Sequence, residues 1–284
     1  MRRRIKPIVV YVFLGILCGL LLMSRLLMER SYQKQLEAAS KTIPTISSST
    51  SKTSSSTTEQ DEFILKPIID VSGWQRPSEI DYDTLSNNIS GAIVRVYGGS
   101  QITSTNNAAY TTGIDKAYKQ HITEFQKRDV PVAVYSYALG KSEKEMRAEA
   151  KTFYENAAPY KPTFYWVDVE EETMSDMNKG VQAFLDELKK LGAKKVGIYI
   201  GTYFMSEQDI SVDGFDAIWI PTYGSDSGYY EAAPNTDLAY HLHQYTSQGV
   251  LPGFNNVLDL NQIAVTQDQK KTYEALFGKI SRKK

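Results

Sequence analysis

Eight short apolar or β-branched runs, spread between residues 67 and 263, constrain the fold of this chain more than any other feature. They are Pro67–Val71, Ala92–Tyr97, Pro131–Tyr137, Thr163–Val169, Lys195–Ile200, Ala217–Tyr223, Ala239–Tyr245 and Val257–Ile263. Runs that are apolar at nearly every position suit strands covered on both faces, as in a parallel sheet. Helical patterns fall between the earlier runs. Ser142 with Glu145 reads as a capping box opening a helix through Tyr154. Val181 to Leu191 is amphipathic and stops at Gly192, a residue suited to a helix C-terminus. Alternating strands and helices predict an α/β fold with a parallel sheet. Eight strands predict a TIM-like β/α barrel, and the closer spacing of the last runs predicts reduced helices in its last third.

Active sites of such barrels lie at the C-terminal ends of the strands. Those ends are acidic here: Asp70 on the first run, Asp168 and Glu170 on the fourth, Asp259 on the last. Asp168 and Glu170 are two apart on one strand, so both project to the same face, with Cα atoms about 6.6 Å apart. Two carboxyls that close cannot both ionise freely. Glycoside hydrolysis needs such a division: one proton donor, and one anion beside an oxocarbenium-like transition state. An acidic pair at a strand end can also simply cap the next helix, and Glu171 and Glu172 lengthen the acidic run. The apolar Tyr165, Trp166 and Val167 before it argue against a merely solvated charge run.

Aromatic residues follow the same geography. Tyr97, Tyr135, Tyr137, Tyr199, Trp219, Tyr223 and Tyr245 lie in or near the C-terminal halves of the strands. Together they suit a sugar-stacking groove; singly, each is equally well read as barrel filling. Gln244 is placed to hydrogen-bond a sugar or to tie a loop. His241 and His243 alternate on one run and could chelate a metal with a carboxylate, the arrangement of a metal-dependent deacetylase. They are two of only 3 histidines, however, and no H-x-x-x-H pair accompanies them. No Gly-rich phosphate loop and no G-x-S-x-G elbow is present. The 32 basic residues balance 33 acidic ones, which does not suit a nucleic-acid binder. Cys18, the only cysteine, excludes a disulfide framework.

Arg2, Arg3, Arg4 and Lys6 precede an uncharged run from Pro7 to Ser24, and Leu26 to Met28 can extend the buried length. This predicts an uncleaved transmembrane signal-anchor over 7–28, with basic residues 1–6 inside and the remainder extracytoplasmic. A cleaved signal peptide is the rival reading, but no small-x-small site follows the run closely. Residues 29–62 read as a stalk and a Ser/Thr-rich linker with almost nothing to bury. Residues 63–280 read as the barrel, and 281–284 as a basic tail.

Taken in order, these segments resemble glycoside hydrolase family 25, the Chalaropsis-type lysozymes. Ile69-Asp70-Val71-Ser72-Gly73-Trp74-Gln75 with Ile80-Asp81-Tyr82 is similar to that family's first strand and loop. Tyr135-Ser136-Tyr137-Ala138 is similar to its third strand, and Trp166-Val167-Asp168-Val169-Glu170 to its catalytic D-x-E strand. Trp219 to Gly224, Gln244 to Ser247, Gly249, Gly253 and Leu258 to Asn261 complete the set. The resemblance covers about residues 66 to 265.

It implies an irregular β/α barrel cleaving the β-1,4 bond between N-acetylmuramic acid and N-acetylglucosamine. Glu170 would be the general acid/base and Asp168 its acidic partner, one available role being to orient the substrate's own acetamido group; the stereochemical route stays open. Asp70 and Asp259 fall on the family's other acidic positions. With Tyr97, Tyr137, Trp219, Tyr223 and Gln244 they form the expected supporting set, and neither a metal nor a cofactor is implied. Expected partners are peptidoglycan strands and, through the anchor, the membrane, with the barrel facing the cell wall. The second strand departs from the family: Val94-Arg95-Val96-Tyr97-Gly98-Gly99 stands where many members carry a K-A-T-E-G-like run. Two alternatives accompany this reading, a non-catalytic wall-binding or assembly protein on the same scaffold and the metal-dependent deacetylase.

Overall fold

A computed structural model of the chain describes residues 65–99 and 104–279. The chain divides into two units, Met1–Glu59 and Gln60–Lys284, and all the described residues belong to the second. The predicted anchor, stalk, linker and tail lie outside the described residues, among which no helix is long and apolar enough to cross a membrane.

Eight strands close into a barrel in chain order. They are β1 (Ile68–Val71), β2 (Gly91–Tyr97), β3 (Val132–Tyr137), β4 (Tyr165–Val169), β5 (Val196–Ile200), β6 (Ala217–Pro221), β7 (Leu242–Gly249) and β8 (Leu258–Ile263). Neighbours from β1 to β7 pair in parallel. β8 runs antiparallel to both β7 and β1. The antiparallel β8 is where the last third departs from regular β/α repeats. Only eight residues separate β7 from β8, too few for the crossover that a parallel return needs. The reversal also brings the start of β8, and so Asp259, to the end of the barrel where the other strands finish.

The helices are α1 (Tyr82–Ser86), α2 (Tyr118–Gln126), α3 (Glu143–Ala157), α4 (Met177–Leu191), α5 (Thr202–Glu207) and α6 (Gln269–Phe277). Ser142 caps α3 by accepting from the Glu145 amide, while the Glu145 carboxylate accepts from the Lys141 amide. Met146, Ala150, Phe153 and Ala157 then form its buried stripe. Asp176 caps α4, and Gly192 ends it at φ 107°, a conformation open to glycine without a Cβ penalty. α5 is a short six-residue turn and no helix separates β6 from β7, so the helical layer thins where the closer spacing predicted.

Inside the barrel, side chains alternate into layers. Ile68, Ile93, Ala133, Phe164, Leu242 and Ile263 fill the lower part, and Tyr273, Leu276 and Phe277 of α6 pack with them. Above them Trp166 and Trp219 meet edge to face at 5.5 Å, and Tyr199 lies 4.6 Å from Trp219. Gly197 makes this possible, because a Cβ there would stand 2.3 Å from the Trp166 ring. The aromatic layer closes the barrel from below and forms the floor on which the upper polar layer rests.

Candidate active site

A pocket of about 170 Å³ opens above that floor. Carboxyl groups come to it from three strands: Asp70 of β1, Asp168 and Glu170 from the end of β4, and Asp259 of β8. Tyr135, Tyr199, Trp219, Tyr223 and Gln244 complete its lining. Trp219 is only 2% exposed, so it belongs to the floor and offers no open ring face. Tyr137 stands beside this group, where its hydroxyl donates to Glu171 at 2.7 Å.

A hydrogen-bonded relay holds Asp70. The Tyr199 and Tyr223 hydroxyls donate to Gln244 Oε1 at 2.8 and 2.5 Å, which fixes the orientation of the Gln244 amide. Gln244 Nε2 and Asn261 Nδ2 then both donate to Asp70 Oδ2 at 2.8 Å. Burial pushes the Asp70 carboxyl up to about 6, although the two amides oppose the rise. Asp259 is pushed further, to about 8, by burial and then by the charge of Asp70.

Asp168 lies buried at 6% exposure, whereas Glu170 opens to solvent at the rim. Both side chains line the same pocket, and Asp168 Oδ1 is buried there with no hydrogen-bond partner among the described residues. Burial raises the pKa of Asp168 well above the usual carboxylate range, and the charge of Glu170 adds to the rise. Glu170 is raised too, mainly because burial strips water from it, and Asp168 beside it opposes that rise. Two carboxyls this close and this buried resist ionising together, so the pair holds a proton between them, and Glu170 presents the pair to the pocket.

One cation acts on this group from below. Arg95, on β2, pairs with the buried Asp115 through Nε and NH2, both at 3.0 Å from Oδ2. Asp115 also accepts from the Gly73 and Ala117 amides at 2.8 Å, tying the β1 loop to the start of α2. The Arg95 charge counters the rise at Asp168.

Tyr97 is not part of this pocket. Strand alternation from Ile93 and Arg95 would turn it inward, but the register slips between Arg95 and Tyr97. Tyr97 then pairs with Ser136 and packs in the outer core between barrel and helices. Tyr245 also faces away, 6.2 Å from Tyr230. The two histidines of β7 and its approach likewise lie apart from the carboxyl groups. His241 Nδ1 accepts from the Ile218 amide, and His243 Nε2 contacts the Thr222 carbonyl at 2.8 Å. His243 is further enclosed by Tyr230, Tyr240 and Tyr245. No group of three or more His, Cys, Asp or Glu among the described residues is arranged to hold a metal ion.

Asn261 is a site residue that motif reading left without a role. Its signal is the two-residue period: Asn261 follows Asp259 on the inner face of β8, as Tyr135 precedes Tyr137 on β3.

The sequence profile of Glycosyl hydrolases family 25 matches residues 69–254. A solved structure of GHIP, a glycosyl hydrolase 25 of Streptococcus pneumoniae described as participating in host cell invasion, is 57% identical. That match covers 75% of this chain and 92% of the other, with a TM-score of 0.73. The catalytic domain of endolysin ply40, from a bacteriophage of Listeria monocytogenes, is 25% identical over 77% of this chain and 100% of its own, with a TM-score of 0.64. The modular autolysin LytC of Streptococcus pneumoniae, solved with a synthetic peptidoglycan ligand, shares the fold at 21% identity and a TM-score of 0.56. The match covers 69% of this chain and 46% of LytC. Among curated proteins nothing matches.

Proposed function

The chain belongs to glycosyl hydrolase family 25, and from that premise we propose that its barrel cleaves the β-1,4 bond between N-acetylmuramic acid and N-acetylglucosamine of peptidoglycan. It is a lysozyme-type glycoside hydrolase, and Glu170 is its general acid/base with Asp168 as acidic partner. The observation that supports this reading is the carboxyl pair itself: two side chains from the end of β4 meet in one pocket, and burial raises both above the usual carboxylate range. A proton held by the pair reaches the glycosidic oxygen through Glu170 as the bond to the anomeric carbon breaks. Water supplies the hydroxyl to that carbon and returns a proton to the pair. Asp168, one layer deeper, keeps a negative charge beside the oxocarbenium-like centre once the proton has left.

The test is digestion of purified peptidoglycan by the full chain, with the released ends identified by mass spectrometry. Muropeptides ending in reducing N-acetylmuramic acid, absent with Glu170→Gln, support the reading. Ends at N-acetylglucosamine, or digestion by Glu170→Gln at the parental rate, overturn it.

Residues 7–28 are assigned to a signal-anchor that leaves the barrel outside the cytoplasm, facing the wall. The support is in the sequence: basic residues 2–4 and 6, then an uncharged run. A chain that alkaline carbonate releases from membranes would contradict the anchor without touching the chemistry.

A further inference from the structure

A cavity larger than the carboxyl pocket lies at the other end of the barrel. About 470 Å³ opens at the N-terminal ends of β1 to β4, the face opposite the carboxyl pocket. Lys66 precedes β1, Lys161 precedes β4 and Lys279 follows α6, and all three reach this cavity from separate parts of the chain. Arg128 is there too, but Asp83 and Glu124 already share its charge at 2.6 and 2.7 Å. Asp129 is the only carboxylate among the described lining residues.

The three lysines are exposed. The Lys66 ammonium donates to the neutral Asn87 carbonyl, a contact that positions its charge without cancelling it. The remaining lining mixes apolar Ile89, Val130 and Val132, all under 9% exposed, with the Ser86 and Thr163 hydroxyls, whose oxygens are buried without a hydrogen-bond partner among the described residues. Exposed cations beside a lining of apolar side chains and unpartnered hydroxyls, at a volume within the range of ligand pockets, favour one kind of ligand. It is an anionic oxygen cluster carried on a short hydroxylated carbon skeleton, which sets charge against the lysines, hydroxyls against Ser86 and Thr163, and carbon against the apolar side chains. A bare chloride would match only the charge, and a neutral sugar would leave the ammonium groups uncompensated.

We infer that this second cavity is a binding site for a phosphate ester of a small polyol, independent of the carboxyl pocket, with Lys66, Lys161 and Lys279 as its cations. Glycerol phosphate is the simplest such group, free in solution or as the headgroup of an anionic lipid. The ammonium groups act as point charges on flexible stems, which suits a phosphate group better than a planar carboxylate demanding a guanidinium fork. Occupancy here leaves the mouth free, so the barrel could be held by one end while the other works on glycan.

The experiment follows the amine-labelling rate of each lysine in the full chain by mass spectrometry. The chain is held in neutral detergent micelles, with Lys141 and Lys179 as reference positions elsewhere on the barrel. Glycerol 3-phosphate should slow labelling of Lys66, Lys161 and Lys279 saturably, by at least fivefold, when potassium chloride of equal ionic strength does not. Protection seen only in phosphatidylglycerol vesicles, not in phosphatidylcholine ones, keeps the site and assigns its phosphate to a lipid. Both substituted positions are exposed, so Lys161→Glu with Lys279→Glu should remain folded, digest peptidoglycan normally and lose the protection of Lys66 at least tenfold in concentration. Equal slowing by chloride, equal protection in the double variant, or no slowing under any condition would overturn the inference.

Discussion

Asp70 and Asp259 are direct register partners across the antiparallel β1–β8 seam, so carboxyl groups 189 positions apart in the chain stand side by side in the mouth. Burial lifts Asp70 to about 6 and Asp259 to about 8, both above the ordinary 3.8. A carboxyl raised in the folded state contributes its full stability below the unfolded value. That contribution is lost as pH rises through the folded value. Unfolding free energy should therefore fall from about pH 4 towards pH 8. Asp259→Asn should flatten the upper part of that fall and stabilise the barrel at pH 8 by at least about 1 kcal/mol. Urea denaturation across the pH range checks this; an unchanged slope would mean that Asp259 is already ionised in the folded protein.

Glu170→Gln removes the group that passes the proton to the glycosidic oxygen. General acid catalysis of this kind contributes roughly 10²–10⁴-fold, so kcat should drop by about that factor. Glu170 is open at the rim, and its loss should leave the melting temperature nearly unchanged. A variant that loses activity only in proportion to lost fold would contradict the assignment.

Gln244 joins Tyr199 and Tyr223 to Asp70. Gln244→Leu leaves two tyrosine hydroxyls without their acceptor and Asp70 with one donor fewer. The expected cost is about 1–3 kcal/mol of stability, together with a higher Asp70 pKa. Calorimetry, and NMR titration of the Asp70 carboxyl, measure the two effects separately.

Arg95→Met would strand Asp115, whose side chain is fully buried, with only backbone donors. Breaking a buried pair from one side costs about 3–5 kcal/mol. Exchange of the Gly73 and Ala117 amides should accelerate in the same variant. Stability within error of the parent would show that the pair carries no net load.

Tyr97→Phe should leave kcat and KM within twofold of the parent, because the ring belongs to the outer core. Tyr97→Ala, by contrast, should cost about 3–5 kcal/mol through the cavity it opens. A large change in KM for the Phe variant would put Tyr97 back in the substrate's path.

The strand runs, the caps of α3 and α4 and the pairing of Asp168 with Glu170 were legible along the chain, because each depends on residues a few positions apart. Burial on both faces makes a run apolar whatever its neighbours are, and a two-residue period puts two carboxylates on one face without reference to the rest of the fold. Other features depend on contacts between distant segments. The direction of β8 follows from a short connection and from closure of the ring against β1. The slip at Arg95 turns Tyr97 outward against its own alternation, since one extra residue reverses every side chain beyond it. The relay from Tyr199 through Gln244 to Asp70, the deep burial that raises the carboxyl of Asp168, and the convergence of Lys66, Lys161 and Lys279 exist only once the barrel is closed. Local periodicity selects which face a side chain takes, but its neighbours across the barrel set its charge state and its partners.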